Sequence, residues 1–413
     1  MFTLSYEYKL KPTDQQVEVI EHTLNTSRSV WNYALRERKD WINSRKCSLK
    51  FCSLEREDII PADEPYPSYQ RQAKSLTEAN KVNTNLKSVN AQLLQQVLKS
   101  LDRAFADMKK KKLGFPRFKN KYRRRSSVYP QLGKNVIQDN YINLPQVGSV
   151  KFIKSRKIPE GFQVKQARVI RKASGYFVLF SLQLDVNVAQ PFPSGHSLGI
   201  DLGFDKFVAT SDGVEDNRPK FLKTLQRKLK LLQRKLKNKK KGSNNRHKLN
   251  RKIARLHQHI SDTRKDDHFK LAHRLCDGTG MIFAEDIDFR TWQRGMLSKH
   301  SADAGFGQFV GILQWVCWKR DVYFAKVDKD RTSQECSKCG THTGKKTLSM
   351  RVHHCPECGY TNSRDVVSAK VIRDRGLSAV GMPVDLKQKA CGGGLAGAIS
   401  LAKSLKQESS VKA

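Results

Sequence analysis

Two CxxC pairs, Cys336-Ser-Lys-Cys339 and Cys355-Pro-Glu-Cys358, constrain this chain more than any other feature. Fifteen residues separate them. Four thiolates at that spacing complete a tetrahedral zinc shell and leave no open position, so the ion they imply is structural. The segment is therefore read as a zinc ribbon. His353 and His354 stand beside the second pair, but four cysteines suffice, and both are read as bystanders. The total of nine cysteines is odd, and Cys47, Cys52, Cys276, Cys317 and Cys391 are scattered. They read as reduced packing or surface residues, in keeping with a reducing compartment.

Charge narrows the partner. Lysine and arginine number 78 against 39 acids, a formal charge of +39. Such a surface seeks a polyanion, and nucleic acid is the default, because neutralising phosphates releases condensed counterions. Acidic membranes are the competing partner, yet no apolar run approaches the ~20 residues that span a bilayer. The opening MFTLSYEYKLKP lacks the apolar stretch of a signal peptide. A soluble cytoplasmic protein is expected, nucleoid-associated in a prokaryote. At 413 residues the chain has room for two or three domains.

Apolar residues alternate at Phe2, Leu4, Tyr6, Tyr8 and Leu10, the period of a half-buried strand. Pro12 stops it, and Thr13 with Gln16 forms a capping box that opens helical spacing at Val17, Ile20 and Leu24. Helices are expected to about Lys112. From Gly114 the chain becomes GFPRFKNKYRRRSS, basic with interleaved aromatics, and then short alternating runs with hairpin turns at Asp139-Asn140 and Ser174-Gly175. This suggests a β-barrel that includes the N-terminal strand, with the helices inserted. Lys119, Arg123 and Arg124 are its candidate nucleic-acid contacts. Further on, Leu222, Leu225, Leu229, Leu232 and Leu236, then Leu249, Ile253, Leu256 and Ile260 beyond KNKKKGSNN, spell a helical hairpin with a basic loop.

Three carboxylates share a local setting. Asp201 ends the apolar strand SLGID, which turns through LGF into a second strand, KFVAT; Glu285 ends GMIFAED; Asp365 opens the helical RDVVSAKVI. Together they fit a ribonuclease-H-like arrangement, in which two central strands and a later helix present acids to one point. Phosphodiester hydrolysis by two cations about 3.5–4 Å apart needs several such hard oxygen ligands. Magnesium suits an oxygen-only set.

The order GIDLG, basic helical insertion, FAEDI, TSQECSKCG, CPECGY and RDVVSAKVI resembles the nuclease and zinc-ribbon half of TnpB proteins, relatives of the miniature type V CRISPR effectors. KLKPTDQQ and GFPRFK extend the resemblance to roughly residues 6–373. It implies an RNA-guided, metal-dependent DNA endonuclease of the RuvC type. Asp201, Glu285 and Asp365 would be catalytic and hold magnesium as a pair of ions; Cys336, Cys339, Cys355 and Cys358 would hold one structural zinc. Arg331-Thr332-Ser333-Gln334 matches the tract before the first knuckle. One departure stands out: the family's last motif reads like DRDxNAA, whereas Ser363, Val367 and Ser368 replace its first acid, its asparagine and an alanine.

The fold class implied is multidomain α/β. A first strand at 1–10, a helical recognition insertion at 11–112 and the remaining barrel at 113–194 make the wedge domain. The RuvC-like nuclease covers 195–330, with its helical hairpin at 219–275. The zinc ribbon is at 331–362, the last nuclease motif at 363–376, and a disordered tail at 377–413. The partners implied are a transposon-derived guide RNA and a target double-stranded DNA. The rival functions are a transposase that uses the same acids for strand transfer, an RNA-guided repressor without cleavage, and a CRISPR-associated effector.

Overall fold

The computed structural model describes residues 2–46, 60–61, 63–133, 136–186, 188–347 and 349–382. The chain divides into two compact units, Met1–Asn187 and Val188–Ala413. Among the described residues no helix is long and apolar enough to cross a membrane.

In the first unit, β1 (Phe2–Lys11) is followed, among the described residues, by four helices, α1 (Asp14–Ser44), α2 (Tyr69–Val82), α3 (Thr84–Lys87) and α4 (Ala91–Lys111). Six strands then complete the sheet: β2 (Ser126–Tyr129), β3 (Ile137–Gln138), β4 (Tyr141–Leu144), β5 (Gly148–Ile153), β6 (Gln163–Lys172) and β7 (Gly175–Leu184). Their order is β2-β6-β7-β1-β5-β4-β3. The alternation in β1 buries Leu4, Tyr6, Tyr8 and Leu10, and the Tyr8 ring meets Phe152 and Phe180 with centroids 5.3 and 5.5 Å away. Thr13 and Gln16 form the expected capping box of α1. Helix α4 buries Leu93, Leu94, Val97, Leu98, Leu101 and Phe105, one helical stripe.

The sheet departs from the expected barrel. It is a curled half-barrel whose edges, β2 and β3, pair with β6 and β4 and, among the described residues, not with each other. With four and two residues, these edge strands offer little backbone for closure.

The second unit holds a five-stranded mixed sheet made of β8 (Ser197–Asp201), β9 (Lys206–Thr210), β10 (Glu215–Asn217), β11 (Met281–Glu285) and β12 (Tyr323–Val327). Its order is β10-β9-β8-β11-β12; β8, β9 and β10 pair antiparallel, whereas β11 runs parallel to both β8 and β12. The leucine repeats become α5 (Phe221–Lys237) and α6 (Asn244–Leu275), zipped by Leu229, Leu256 and Ile260. After β11 come α7 (Phe289–Trp292), α8 (Ser298–Ala304) and α9 (Phe306–Lys319). Phe306, Phe309, Leu313 and Val316 of α9 join Leu271 and Leu275 of α6 in covering the strands. A hairpin of β13 (Val352–His354) and β14 (Thr361–Ser363) leads into α10 (Arg364–Ala379).

Helix α10 continues three residues past the point where the sequence suggests a tail, because Leu377 is buried against Phe283 and its neighbours. The CGGGLAG segment and the polar end lie outside the described residues. Of the scattered cysteines, Cys276 and Cys317 are buried free thiols with sulfurs 3.6 Å apart. Cys47, Cys52 and Cys391 lie outside the described residues.

Candidate active site

Asp201 and Glu285 are the last residues of two adjacent parallel strands, in which Ile200 pairs with Ala284. Parallel registry brings both carboxylates to the same end of the sheet. Asp365, in the first turn of α10, joins them because that helix lies close against the strands. Two glycines make the approach possible. A Cβ on Gly199 would stand 2.0 Å from the Ala369 carbonyl oxygen, and one on Gly376 would stand 2.2 Å from the Phe283 ring.

The electrostatics record the convergence. Burial pushes the Asp201 carboxyl well above the ordinary carboxylate range, and the charges of Glu285 and Asp365 push it further; the Leu202 amide and Arg364 oppose them. Glu285 is also raised by burial, against the Thr332 hydroxyl, Arg375 and Lys329. Burial raises Asp365 as well, with Glu215 and Asp205 adding to it, while Arg351 and Arg364 pull it down. A buried acid raised further by two neighbouring carboxylates, as Asp201 is, is what a bound divalent cation would relieve. Their donors are hard oxygens, which fit magnesium. The acids share one field but do not form a closed ligand shell. Among the described residues, the four cysteines are the one group of three or more such side chains close enough to hold a metal as they stand.

In that group the ligand sulfurs all lie within 4.8 Å of one another, with Cys336–Cys358 at 3.7 Å and Cys339–Cys355 at 3.5 Å. Zinc–sulfur bonds of about 2.3 Å set a tetrahedral edge of about 3.8 Å, so the cluster fits zinc. The two knuckles are near copies. The amides of Gly340 and Gly359 donate to the carbonyls of Cys336 and Cys355, at 2.9 and 3.0 Å. Both glycines have positive φ, 75° and 66°, which the turn after each CxxC requires. His353 and His354 stay outside the cluster: His353 Nδ1 lies 2.6 Å from Lys346 Nζ, and His354 Nδ1 3.0 Å from Thr361 Oγ1.

Lys119, Arg123 and Arg124 belong to the first unit, where GFPRFK is strapped to α1. Trp31 Nε1 donates to the Arg117 carbonyl at 3.2 Å, and Asn32 exchanges two bonds with the Lys119 backbone, at 2.9 and 2.8 Å. Lys119 Nζ lies 3.4 Å from the Trp31 ring centroid, and burial, then Arg124, pull its pKa down to about 8. Arg124 is pulled down to about 10 by burial and then by Arg168. Arg123 is exposed.

Sequence reading gives no individual role to Thr332, whose hydroxyl donates to Glu285 Oε1, nor to Arg375, which bonds Glu335 at 2.8 Å beside it. Thr332 lies in the TSQ tract already singled out. Arg351, Arg364, Glu215 and Asp205, which act on Asp365, leave no pattern.

Three family models match the chain: a probable transposase, OrfB_IS605, over residues 181–294, a Cas12f1-like TNB domain over 306–372, and a helix-turn-helix domain, HTH_OrfB_IS605, over 1–47. Relatives align almost end to end. A putative RNA-guided DNA endonuclease of Streptomyces pristinaespiralis is 29% identical, covering 95% of this chain and 91% of its own. InsQ, a putative RNA-guided DNA endonuclease of Escherichia coli K12, is also 29% identical, covering 89% and 91%. The chain is a TnpB relative. The probable-transposase and TNB matches follow one another along the chain, and the second spans all four clustered cysteines. The helix-turn-helix span of this TnpB relative folds as β1 and the unbroken α1, not as two helices across a turn. The solved mini-RNA-guided endonuclease CRISPR-Cas_phi3 aligns over 94% of each chain, at 10% identity and a TM-score of 0.46.

Proposed function

We propose that this TnpB relative is an RNA-guided endonuclease that cleaves DNA by divalent-metal-dependent hydrolysis, with Asp201, Glu285 and Asp365 as its catalytic carboxylates. The observation that carries the reading is their convergence: the paired ends of β8 and β11 and the first turn of α10, with the Asp201 carboxyl raised by burial and then by the other two acids. The strand order β10-β9-β8-β11-β12 supports a ribonuclease-H-like nuclease domain. The names of the two bacterial relatives support RNA guidance. The partners are then a transposon-derived guide RNA and a double-stranded DNA target.

Asp201, Glu285 and Asp365 would hold two magnesium ions, which when bound supply activated water and charge neutralisation at the leaving oxygen. Thr332 keeps one Glu285 oxygen oriented through its hydroxyl. Arg364 and Arg351 offset the negative charge around Asp365. The four cysteines would hold one structural zinc and tie the chain that delivers α10. We assign residues 1–10 and 113–194 to a wedge domain, 11–112 to its recognition insertion, and 195–330 to the nuclease with the 219–275 hairpin. The ribbon is then 331–362 and the closing nuclease motif begins at 363. Guide pairing would read the target, and protein contacts would nucleate its opening.

The probable-transposase description of the matching family favours one alternative, strand transfer by the same acids. Purifying the protein with RNA co-expressed from its own locus and sequencing that RNA tests the proposal. A discrete RNA with a constant scaffold and a variable end is expected. Absence of any enriched RNA would remove guidance and leave the transposase reading.

A further inference from the structure

The hydroxyl of Ser363 does not do what a serine at its position ordinarily does. Ser363 ends β14 and is the N-cap of α10, where a serine oxygen usually accepts from an amide two or three residues on. Here no side-chain cap bond forms. The Ser363 hydroxyl instead donates to Glu215 Oε1, 148 residues away in sequence, on the edge strand β10. The other Glu215 oxygen lies 3.3 Å from Lys206 Nζ, and that ammonium also donates to Asn217 Oδ1 at 3.2 Å. The glutamate is therefore braced from its own sheet and points its free acceptor at the start of the helix. Its side chain is 23% exposed, so that acceptor is partly shielded from water.

The start of α10 is where Asp365 sits. Further along, the helix is fixed by the close approaches at Gly199 and Gly376, whose contacts begin only at Ala369. The first turn lies before them, and the Ser363–Glu215 bond ties it to the sheet. We propose that Glu215 is a positioning residue of the nuclease centre: braced by Lys206, its carboxylate receives the Ser363 hydroxyl and so sets the first turn of α10 and the direction of Asp365. The departure at 363 from the resembled motif then has a physical account. An acid there would face the Glu215 carboxylate with like charge, whereas a serine turns the pair into donor and acceptor.

This inference rests on the reading of Asp201, Glu285 and Asp365 as catalytic carboxylates, and the test separates the two. The RNA-loaded protein is made with Ser363→Ala, Glu215→Ala, both together, Ser363→Asp, and Ser363→Asp with Glu215→Gln. Cleavage rate and Mn²⁺ affinity, the latter by electron paramagnetic resonance without DNA, are measured for each. Outer partners of metal ligands are worth roughly 10–100-fold in affinity or activity. Each alanine variant should therefore lose about 10-fold in both readouts. Their combination should lose no more than the worse single variant, because one bond is broken once. Ser363→Asp alone should lose at least as much, and adding Glu215→Gln should restore it, because the new side-chain amide can donate to the new acid. Should Glu215→Ala unfold, Ser363→Ala and the combined Ser363→Asp, Glu215→Gln variant still decide the matter, since the first keeps the Lys206–Glu215 pair and in the second the new amide can accept from Lys206 while donating to the new acid. Asp201→Ala is the control for the underlying reading. If Asp201→Ala still cleaves, the assignment of the centre is wrong. If Asp201→Ala is inactive while Ser363→Ala and Glu215→Ala keep full rate and Mn²⁺ affinity, the positioning role is overturned.

Discussion

Gly199 of β8 faces the backbone of α10 at Ala369 so closely that a methyl group on it would stand 2.0 Å from the Ala369 carbonyl oxygen and 2.7 Å from the Arg373 amide nitrogen. These are backbone atoms in a packed helix and cannot swing aside as a side-chain tip can. Gly199→Ala should therefore push α10 off the sheet, costing about 3 kcal/mol or more, at the upper end of overpacking penalties. Gly311→Ala is the contrast. It lies in α9 with nothing within 4 Å of its added carbon. It should be neutral or stabilise by up to about 1 kcal/mol, the glycine-to-alanine gain in a helix. Chemical denaturation followed by circular dichroism compares the two, and equal stabilities would contradict the close approach.

The carboxylate cluster makes metal-free stability depend on pH in a definite direction. Asp201, Glu285 and Asp365 all have folded pKa values raised above ordinary carboxylates. A raised acid favours the folded state while protonated. Its stabilising contribution is complete below the unfolded carboxylate pKa of about 4 and is lost as pH rises through the folded value. Metal-free protein should thus lose stability as pH climbs from that range, and added Mg²⁺ should restore more of it at higher pH. Asp201→Asn should flatten the profile and raise metal-free stability at neutral pH. Its cleavage should fall by more than the roughly 10–100-fold lost with an outer partner. Thermal melts across pH with and without Mg²⁺ check this; a wild-type-to-variant difference that stays constant with pH would remove Asp201 as a buried titrating acid.

For the cysteine cluster we expect one zinc per chain in elemental analysis. In small isolated sites structural zinc contributes ~10–16 kcal/mol of folding free energy, and the amount here is shared with the packing of β13, β14 and α10. Cys339 is exposed while Cys336 and Cys355 are buried. Cys339→Ser should accordingly weaken zinc retention against a chelator and lower the melting temperature without abolishing expression. Active protein free of zinc would refute the assignment.

The three basic candidates should separate by burial. Arg123 is exposed, so Arg123→Glu should weaken RNA binding and shift stability by no more than about 0.5 kcal/mol. Lys119 and Arg124 are partly desolvated, and Lys119→Glu also removes the cation from the Trp31 ring. Those two variants should lose stability along with affinity. Each lost phosphate contact should reduce the slope of log affinity against log salt by about 0.7 on single-stranded RNA. A triple variant with an unchanged slope would make the segment an ordinary solvated surface.

Much of this is legible in the sequence because it is periodic or locally spaced. The alternation from Phe2 to Leu10, the Thr13–Gln16 box and the two CxxC knuckles are short-range patterns, and they fold as their spacing suggests. Asp201 and Glu285 can be read as strand ends, but their adjacency depends on strand order, which no local spacing encodes. Thr332 meets Glu285 from 47 residues away, and Ser363 meets Glu215 from 148. Such pairs leave no mark in a single sequence. The half-barrel differs from the expected barrel for the same reason, since hairpins are visible and closure is not. Helix α10 outruns its expected end at 376 because the contact that holds its last turn, with the Phe283 ring against Gly376, is made across the fold and not along the sequence.

Reading a long DNA site directly takes side chains on an element lodged in a groove. The span that matches a helix-turn-helix model folds as one strand and one unbroken helix of 31 residues, so it lacks the second helix that such a module places in the groove. A formal charge of +39 holds phosphates without telling bases apart. In the proposed reading, pairing with an RNA supplies the discrimination. Changing the guide alone should redirect double-strand cleavage to a matching target, provided the short adjacent motif is kept. Mismatches next to that motif should cost most, because the heteroduplex starts there and an early mismatch stops it before later pairs contribute. A strand-transferring transposase would ignore the guide and act at element ends, while a repressor would occupy the new target without cutting it. Reprogrammed complexes are assayed with Mg²⁺ on plasmids carrying the old or the new target, with Asp201→Ala as the binding-only control. Cutting confined to the original sequence, with Asp201, Glu285 and Asp365 intact, would end the guided-nuclease reading.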